Sequence, residues 1–308
     1  MGFFSIYFQL PHMDQPIKYY QEADVFNKLI QWAWPRETIR AMLLTSTRAV
    51  LNAFVDFLSD YDVMLIVQDI HPFYEDRSWL EDFGEVLVVY WDPIYPDPEH
   101  GNEKTANVTQ YADGLKIDFT LWPIELLQKI IQAPALQAEL DAGYRVLLDK
   151  DDLTRDLQPP TYKAYIPTRP ANEVYQLLIN DFFTDVPYMA KCLLRGELLP
   201  AKWCLDYDMK HVHLRPMLEW LVGVKHNWSV PTGSLGKGLK KWLSPETWSQ
   251  LENTYAGGKV QENWEALFLT IILFRQVARE VGAGLGYEYP LELDQRVTAF
   301  AHKMQNMR

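Results

Sequence analysis

Apolar and polar positions along the chain alternate with two different periodicities, one in each half. Up to about residue 155, short apolar runs alternate with helix-like segments, which predicts a mixed sheet with helices packed on it. The predicted strands cover residues 41–44, 63–67, 86–91, 108–111 and 116–122, and a helix over 22–34 ends before Pro35. The pattern predicts an α/β (α+β) chain with a mixed-sheet domain over residues 1–157 and a helical domain over residues 158–308.

The Pro-rich stretch from Gln158 to Pro170 marks the predicted domain boundary, because proline interrupts both helices and central strands. Beyond it, apolar residues recur at helical spacing. The predicted helices cover residues 172–195, 201–225, a segment beginning at Ser244-Pro245, and a final helix over 261–281. In the first region, the proline-rich segment 91–98 is predicted to be a loop that does not continue the sheet.

Composition excludes several classes of protein. The net charge of -12 argues against a nucleic-acid partner, which normally meets a basic face, and suits a small cationic substrate better. The two cysteines form no motif typical of a disulfide framework or a zinc site. The sequence shows neither a signal-peptide pattern nor an apolar run of bilayer length, so we expect a cytoplasmic protein without a membrane partner.

Two aspartates, Asp60 and Asp62, stand directly before the apolar run 63–67. Successive strand residues face opposite sides, so these two carboxylates project to the same side. Paired carboxylates at the mouth of a buried strand repel each other and need a counter-charge. If Asp118 lies on a neighbouring strand, three oxygen ligands converge, and Mg²⁺ prefers a few carboxylates together with substrate phosphates. The spacing alone also fits a solvated turn that precedes a strand.

The order and spacing of several motifs resemble the streptomycin (aminoglycoside 6-) adenylyltransferases of the nucleotidyltransferase superfamily. The motifs that carry the resemblance lie at residues 60–62, 78–84, 113–114, 117–121, 148–151, 201–202, 231–241 and 274–275, and so cover almost the whole chain. The resemblance implies an ATP- and Mg²⁺-dependent O-adenylyltransferase that modifies a hydroxyl of streptomycin or a similar aminoglycoside, releases pyrophosphate and confers antibiotic resistance. It also implies that Asp60, Asp62 and Asp118 hold the metal and act in catalysis.

A turn after the first predicted strand carries Ser46, Thr47 and Arg48, which we expect to contact the triphosphate through hydroxyls, backbone N–H groups and the guanidinium. Members of the family usually carry Gly-Ser-Arg here. Either the turn tolerates the Ser46 side chain, or nucleotide binding is weakened, because only glycine allows the closest backbone approach. A surface ion pair is the alternative for Arg48. Lys202 and Lys237 are further candidate partners of the triphosphate.

Asp181 and Asp185 are four residues apart, hence on one face of a predicted helix, where they can meet a cationic group of the acceptor. The alternative is two solvated acids on an outer face. Two other functions remain open: a nucleotidyltransferase with another acceptor such as a lincosamide, and a degenerate homologue that binds nucleotide without turnover. We expect a monomer or a small homo-oligomer.

Overall fold

The computed structural model describes residues 17–50, 53 and 55–307. The chain divides into two compact units, residues 1–164 and residues 165–308. This division falls a few residues after the boundary expected from the Pro-rich stretch.

The first unit contains a mixed sheet with short helices. In chain order its elements are α1 (Glu22–Ala33), β1 (Ile39–Thr45), β2 (Tyr61–Val67), α2 (His71–Glu75), β3 (Val86–Trp91), β4 (Tyr95–Pro96), β5 (Glu103–Tyr111), β6 (Lys116–Pro123), α3 (Ile124–Gln132), α4 (Ala138–Asp141) and β7 (Arg145–Asp149). Two 3₁₀ segments, Ser46–Arg48 and Ser78–Phe83, follow β1 and precede β3. The strand order is β3-β5-β6-β2-β1-β7, with β4 paired to β5. Strands β2 and β6 are parallel and the other pairs are antiparallel, so the predicted mixed sheet is confirmed.

The two faces of this sheet are covered differently. On one face, alternate residues of β2 and β6 pack against α1 and the second 3₁₀ segment, in a cluster that includes Leu29 and Phe83. On the other face, Met64 of β2 and Trp122 of β6 pack against the amphipathic helix α3. That cluster ends at Met64, one alternate position short of Asp62. The apolar covering therefore stops where the predicted carboxylates begin.

One prediction for the first unit is wrong, and several elements were not predicted. Tyr95 and Pro96 pair with β5, so the prediction that segment 91–98 does not continue the sheet is wrong. The pairing is only two residues long, in a place where proline's missing N–H is tolerated. Strand β7 and helices α3 and α4 were not assigned from the pattern, because short apolar runs such as that of β7 do not distinguish helix from strand.

The second unit is helical, as predicted. Its elements are α5 (Asn172–Arg195), α6 (Leu198–Lys202), a π-helix (Trp203–Leu214), α7 (Arg215–Lys225), α8 (Leu239–Trp242), α9 (Pro245–Glu252), α10 (Val260–Leu285) and α11 (Leu291–Gln305), with a short 3₁₀ segment at Ser234–Gly236. At its core the ring of Phe182 from α5 stacks on Phe274 from α10, with 3.7 Å between the centroids. Among the described helices, none is both long and apolar enough to cross a membrane.

Local sequence signals set several helix ends in this unit. Gly196 ends α5 in a left-handed conformation with φ of 70°, and the Ser244 hydroxyl accepts a hydrogen bond from the backbone N–H of Thr247 at the start of α9. The single helix predicted over 201–225 is wrong in detail, since a π-helix replaces α-helix between Trp203 and Leu214. The helix predicted to be final is followed by α11.

Candidate active site

The parallel pairing of β2 with β6 brings two predicted carboxylates side by side. Asp62 lies opposite Asp118 in the register, so both side chains leave the same face of the sheet. Asp60 directly precedes β2 and joins them: the Lys116 ammonium donates to Asp60 Oδ2 at 2.5 Å and to Asp118 Oδ2 at 2.9 Å. The structure thus brings Asp60, Asp62 and Asp118 together at one end of the sheet.

Lys116 is a site residue that the sequence analysis missed. It precedes Asp118 by two residues on β6, so the two side chains share a face. That Lys-x-Asp alternation within a strand was the available signal. Burial lowers the pKa of Lys116, but hydrogen bonds to Asp60 and Asp118 outweigh it and raise the pKa above its usual value. The ammonium therefore stays charged and neutralises part of the carboxylate cluster.

The remaining negative charge is poorly compensated. Burial, reinforced by the charges of Asp118 and Asp60, raises the pKa of Asp62 to about 6. Burial also raises the pKa of Asp118, against the opposing effects of Lys116 and the Thr109 backbone N–H. Asp118 Oδ1 is buried, and within the described residues no side-chain donor forms a hydrogen bond with it. One ammonium thus faces three carboxylates.

This donor set fits a divalent cation. Three carboxylates supply hard oxygen ligands, and among the described residues no side chain donates a hydrogen bond to the buried Asp118 Oδ1. Within the described residues, however, no group of three or more His, Cys, Asp or Glu side chains is already spaced to hold a metal ion. Instead, the ammonium of Lys116 lies against the carboxylates of Asp60 and Asp118.

The turn after β1 carries Ser46 at the position where glycine was expected. Ser46 has a φ of +56°, in the left-handed region that favours glycine. Its hydroxyl donates a hydrogen bond to the Asp62 carboxylate, which lowers the pKa of Asp62 against the effect of burial. Thr47 follows in the same 3₁₀ turn and is half-buried. A serine at this position therefore costs backbone strain, and its hydroxyl connects the turn to the carboxylate site.

Arg48 does not lie on the surface. Its guanidinium donates to the backbone carbonyls of Ser59 at 2.8 Å and Asp60 at 3.0 Å, and pairs with Glu22 at 3.3 Å. It also lies 3.9 Å from the centroid of the Tyr61 ring, and its side chain is only 6% exposed. The alternative of a surface ion pair is wrong. Arg48 holds the segment that carries Asp60.

The other predicted residues belong to the second unit. Lys202 donates to the carbonyl of Ala256 at 2.8 Å and pairs with Asp206 at 2.7 Å. Lys237 is exposed, and within the described part of the chain its side chain makes no hydrogen bond or ion pair, although its backbone N–H donates to the carbonyl of Ser234. Asp181 is half-buried on α5.

Asp185 is not a solvated acid, because it pairs with His213 of the π-helix at 3.1 Å. On the same π-helix, burial and the charge of Asp185 raise the pKa of Asp208. The exposed rings of Trp203 and Tyr207 lie on the same π-helix as Asp208, with 4.9 Å between their centroids. Carboxylates next to aromatic faces suit an organic cation, and π-helical turns often occur at functional sites. Residue spacing alone could not indicate this grouping, since the α-helical period does not apply here.

Comparisons with known proteins agree over nearly the whole chain. A family profile for streptomycin adenylyltransferase matches residues 20–304. The aminoglycoside 6-adenylyltransferase of Bacillus subtilis (strain 168) is 30% identical over 282 residues, which cover 91% of this chain and 96% of that protein. The aminoglycoside 6-adenylyltransferase of Campylobacter jejuni is 29% identical over 284 residues, 91% of this chain and 94% of that protein. Among solved structures, an aminoglycoside 6-adenyltransferase from Bacillus subtilis is 27% identical with a TM-score of 0.42, over 93% of this chain and 99% of that chain.

Proposed function

This chain belongs to the streptomycin adenylyltransferase family, and from that membership we propose that it transfers the adenylyl group of ATP to a hydroxyl of streptomycin or a similar aminoglycoside. It is a nucleotidyltransferase of the aminoglycoside 6-adenylyltransferase type. Pyrophosphate leaves in the reaction, which takes place in the cytoplasm and confers resistance. The observation that carries the proposal is the position of Asp62 opposite Asp118, with Asp60 beside them.

The three carboxylates are the proposed Mg²⁺ ligands. A bound Mg²⁺ would stabilise the negative charge that develops on the phosphate oxygens. Asp60 and Asp62 would serve as ligands only. Asp118, whose Oδ2 also accepts a hydrogen bond from Lys116, would in addition orient the acceptor hydroxyl.

Nucleotide binding is assigned to the turn after β1 and to lysines of the second unit. The hydroxyls and backbone N–H groups of Ser46 and Thr47 stand at the end of β1, which pairs with β2 at Asp62. Lys237 is exposed and available to a phosphate, whereas Lys202 must first leave Asp206. Arg48 supports the site indirectly, by holding the segment before β2.

The acceptor is assigned to the helical unit, so that the sheet unit acts as the nucleotidyltransferase domain and the helical unit as the substrate-binding domain. Asp181 and Asp185 supply negative charge to a cationic sugar. Asp208 adds a third carboxylate close to Asp185. The chain's net charge of -12 favours encounter with such a cation.

Pyrophosphate release tests this function directly. The purified protein is incubated with ATP, Mg²⁺ and one drug at a time from a panel of aminoglycosides and lincosamides. Mass spectrometry then identifies the modified drug by its mass. We expect pyrophosphate and an adenylylated drug with streptomycin or a close analogue. Asp60→Asn should reduce the rate at least about a hundredfold, while the exposed control Asp156→Asn keeps it. Release with lincosamides alone would change the acceptor class, and no release with any drug would refute the proposal.

A further inference from the structure

We infer that the ammonium group of Lys116 is a resident counter-cation of the carboxylate site, which a divalent metal displaces when it binds. The inference rests on the proposed metal dependence of the transfer. It assigns to Lys116 a role that precedes the chemistry: the side chain sets how readily the empty site accepts its metal.

The argument begins with the oxygens that Lys116 uses. Its ammonium contacts Asp60 Oδ2 and Asp118 Oδ2, two carboxylate oxygens of the proposed ligand set. An ammonium that already lies against these two oxygens opposes the approach of a divalent metal to them, because both carry positive charge. Within the described residues, no other lysine or arginine side chain forms an ion pair with Asp60, Asp62 or Asp118.

The charges explain why displacement is favourable. A single ammonium leaves two of the three negative charges uncompensated, and the Asp62 carboxylate forms no ion pair with any residue that the structure describes. A divalent cation supplies twice the charge to the same cluster. Lysine is suited to yield, because its ammonium is compact and strongly hydrated and its stem is flexible. The Lys116 side chain is 27% exposed, so water can solvate the ammonium once it leaves.

A permanent cross-link between β2 and β6 is the competing role for Lys116. In that case the ammonium would stay between Asp60 and Asp118 with metal bound, and its loss would only loosen the strand pair. The two roles predict opposite effects on metal affinity. A displaced counter-cation competes with the metal, whereas a cross-link holds the ligands ready for it.

A calorimetric titration of the nucleotide-free protein with Mn²⁺ measures its affinity for the metal. This measurement separates the two roles without an assay of adenylyl transfer. We expect Lys116→Met to bind Mn²⁺ about tenfold more tightly than the parent, because a unit charge in a half-buried site is worth at least that much. Lys116→Arg keeps the charge and should resemble the parent. Lys129→Met is the matched control, since the exposed Lys129 ammonium donates to the backbone carbonyl of His100 and, among the described residues, forms no ion pair. Unchanged or weaker binding by Lys116→Met would overturn the inference.

A second measurement uses the natural protein and does not depend on a variant folding. Acetylation of lysines by a water-soluble reagent is followed peptide by peptide, with and without saturating Mn²⁺. An ammonium held by two carboxylates reacts slowly, so Lys116 should be acetylated several-fold faster with metal, while Lys129 stays constant. An unchanged rate at Lys116 would overturn the inference.

The binding titration also tests the metal site itself. If the parent and Lys116→Met both fail to bind Mn²⁺, the proposed metal site is wrong, which is a different outcome from binding without competition.

Discussion

Asp62→Asn should make the protein more stable near pH 8 while it abolishes adenylyl transfer. The carboxylate of Asp62 is ionised at that pH, although burial and the neighbouring Asp118 and Asp60 oppose its charge. Asparagine has nearly the same shape and can still accept the hydrogen bond from the Ser46 hydroxyl, so the substitution removes mainly the charge. Loss of the charge also removes a proposed metal ligand.

The structure gives the size and the pH range of the stability change. The pKa of Asp62 rises from 3.8 in the unfolded chain to about 6 in the folded protein. Between these values the folded state binds the extra proton, so the parent loses stability as the pH rises from about 4 to about 6, and the full loss is present above that range. A difference of this size corresponds to about 3 kcal/mol, and partial solvent contact reduces it to about 1–2 kcal/mol.

Urea denaturation at several pH values measures this effect. With a chelator present, Asp62→Asn should exceed the parent in free energy of unfolding by about 1–2 kcal/mol near pH 8, and by almost nothing near pH 4. The exposed control Asp156→Asn should match the parent at both pH values. Saturating Mg²⁺ should stabilise the parent and leave the variant unchanged. The reasoning fails if the variant is no more stable near pH 8, or if its advantage persists unchanged to pH 4.

Three further predictions concern the other site residues. The free energy of unfolding of Ser46→Gly in urea should exceed that of Ser46→Ala by about 0.5–1 kcal/mol, because both variants lose the hydroxyl but only alanine keeps the strain at φ of +56°. Equal stabilities of the two variants would contradict a strained turn. Arg48→Met should lower the free energy of unfolding by about 2–4 kcal/mol, because it leaves the carbonyls of Ser59 and Asp60 without a donor, whereas the exposed control Arg155→Met should not. Unchanged stability together with a higher KM for ATP would instead indicate that Arg48 contacts the phosphates directly. Asp181→Asn should raise the KM for the aminoglycoside more than that for ATP, with Glu173→Gln on the same helix as control; unchanged aminoglycoside kinetics would move the acceptor site elsewhere.

The sequence predicted the parts of the fold that depend on short-range pattern. The pattern placed Asp118 within a strand and Asp62 directly before one, and the end of α5 and the start of α9 followed from Gly196 and Ser244. Each of these signals lies within a few residues of the feature that it determines.

What the sequence did not predict depends on contacts between distant segments. The bond between Lys116 and Asp60 spans 56 positions, and it appears only once β2 and β6 pair. The burial of Arg48 likewise required the segment before β2 to fold back over it. The π-helix was not predicted, because its residues per turn differ from the α-helical period on which the prediction relied.

The register between β2 and β6 also limits how this protein can change during evolution. Asp62 faces Asp118 only because both strands keep their alternation without interruption. One residue inserted within β6 just before Asp118 would turn its carboxylate toward the opposite face, where Ile117 and Phe119 are buried, and would send apolar side chains to the face it left. Residues added in the turn at Gly114 lie outside this register, whereas residues added within the strand keep Asp118 on its face only in steps of two. A single inserted codon at that point would therefore remove more of the site than most substitutions could.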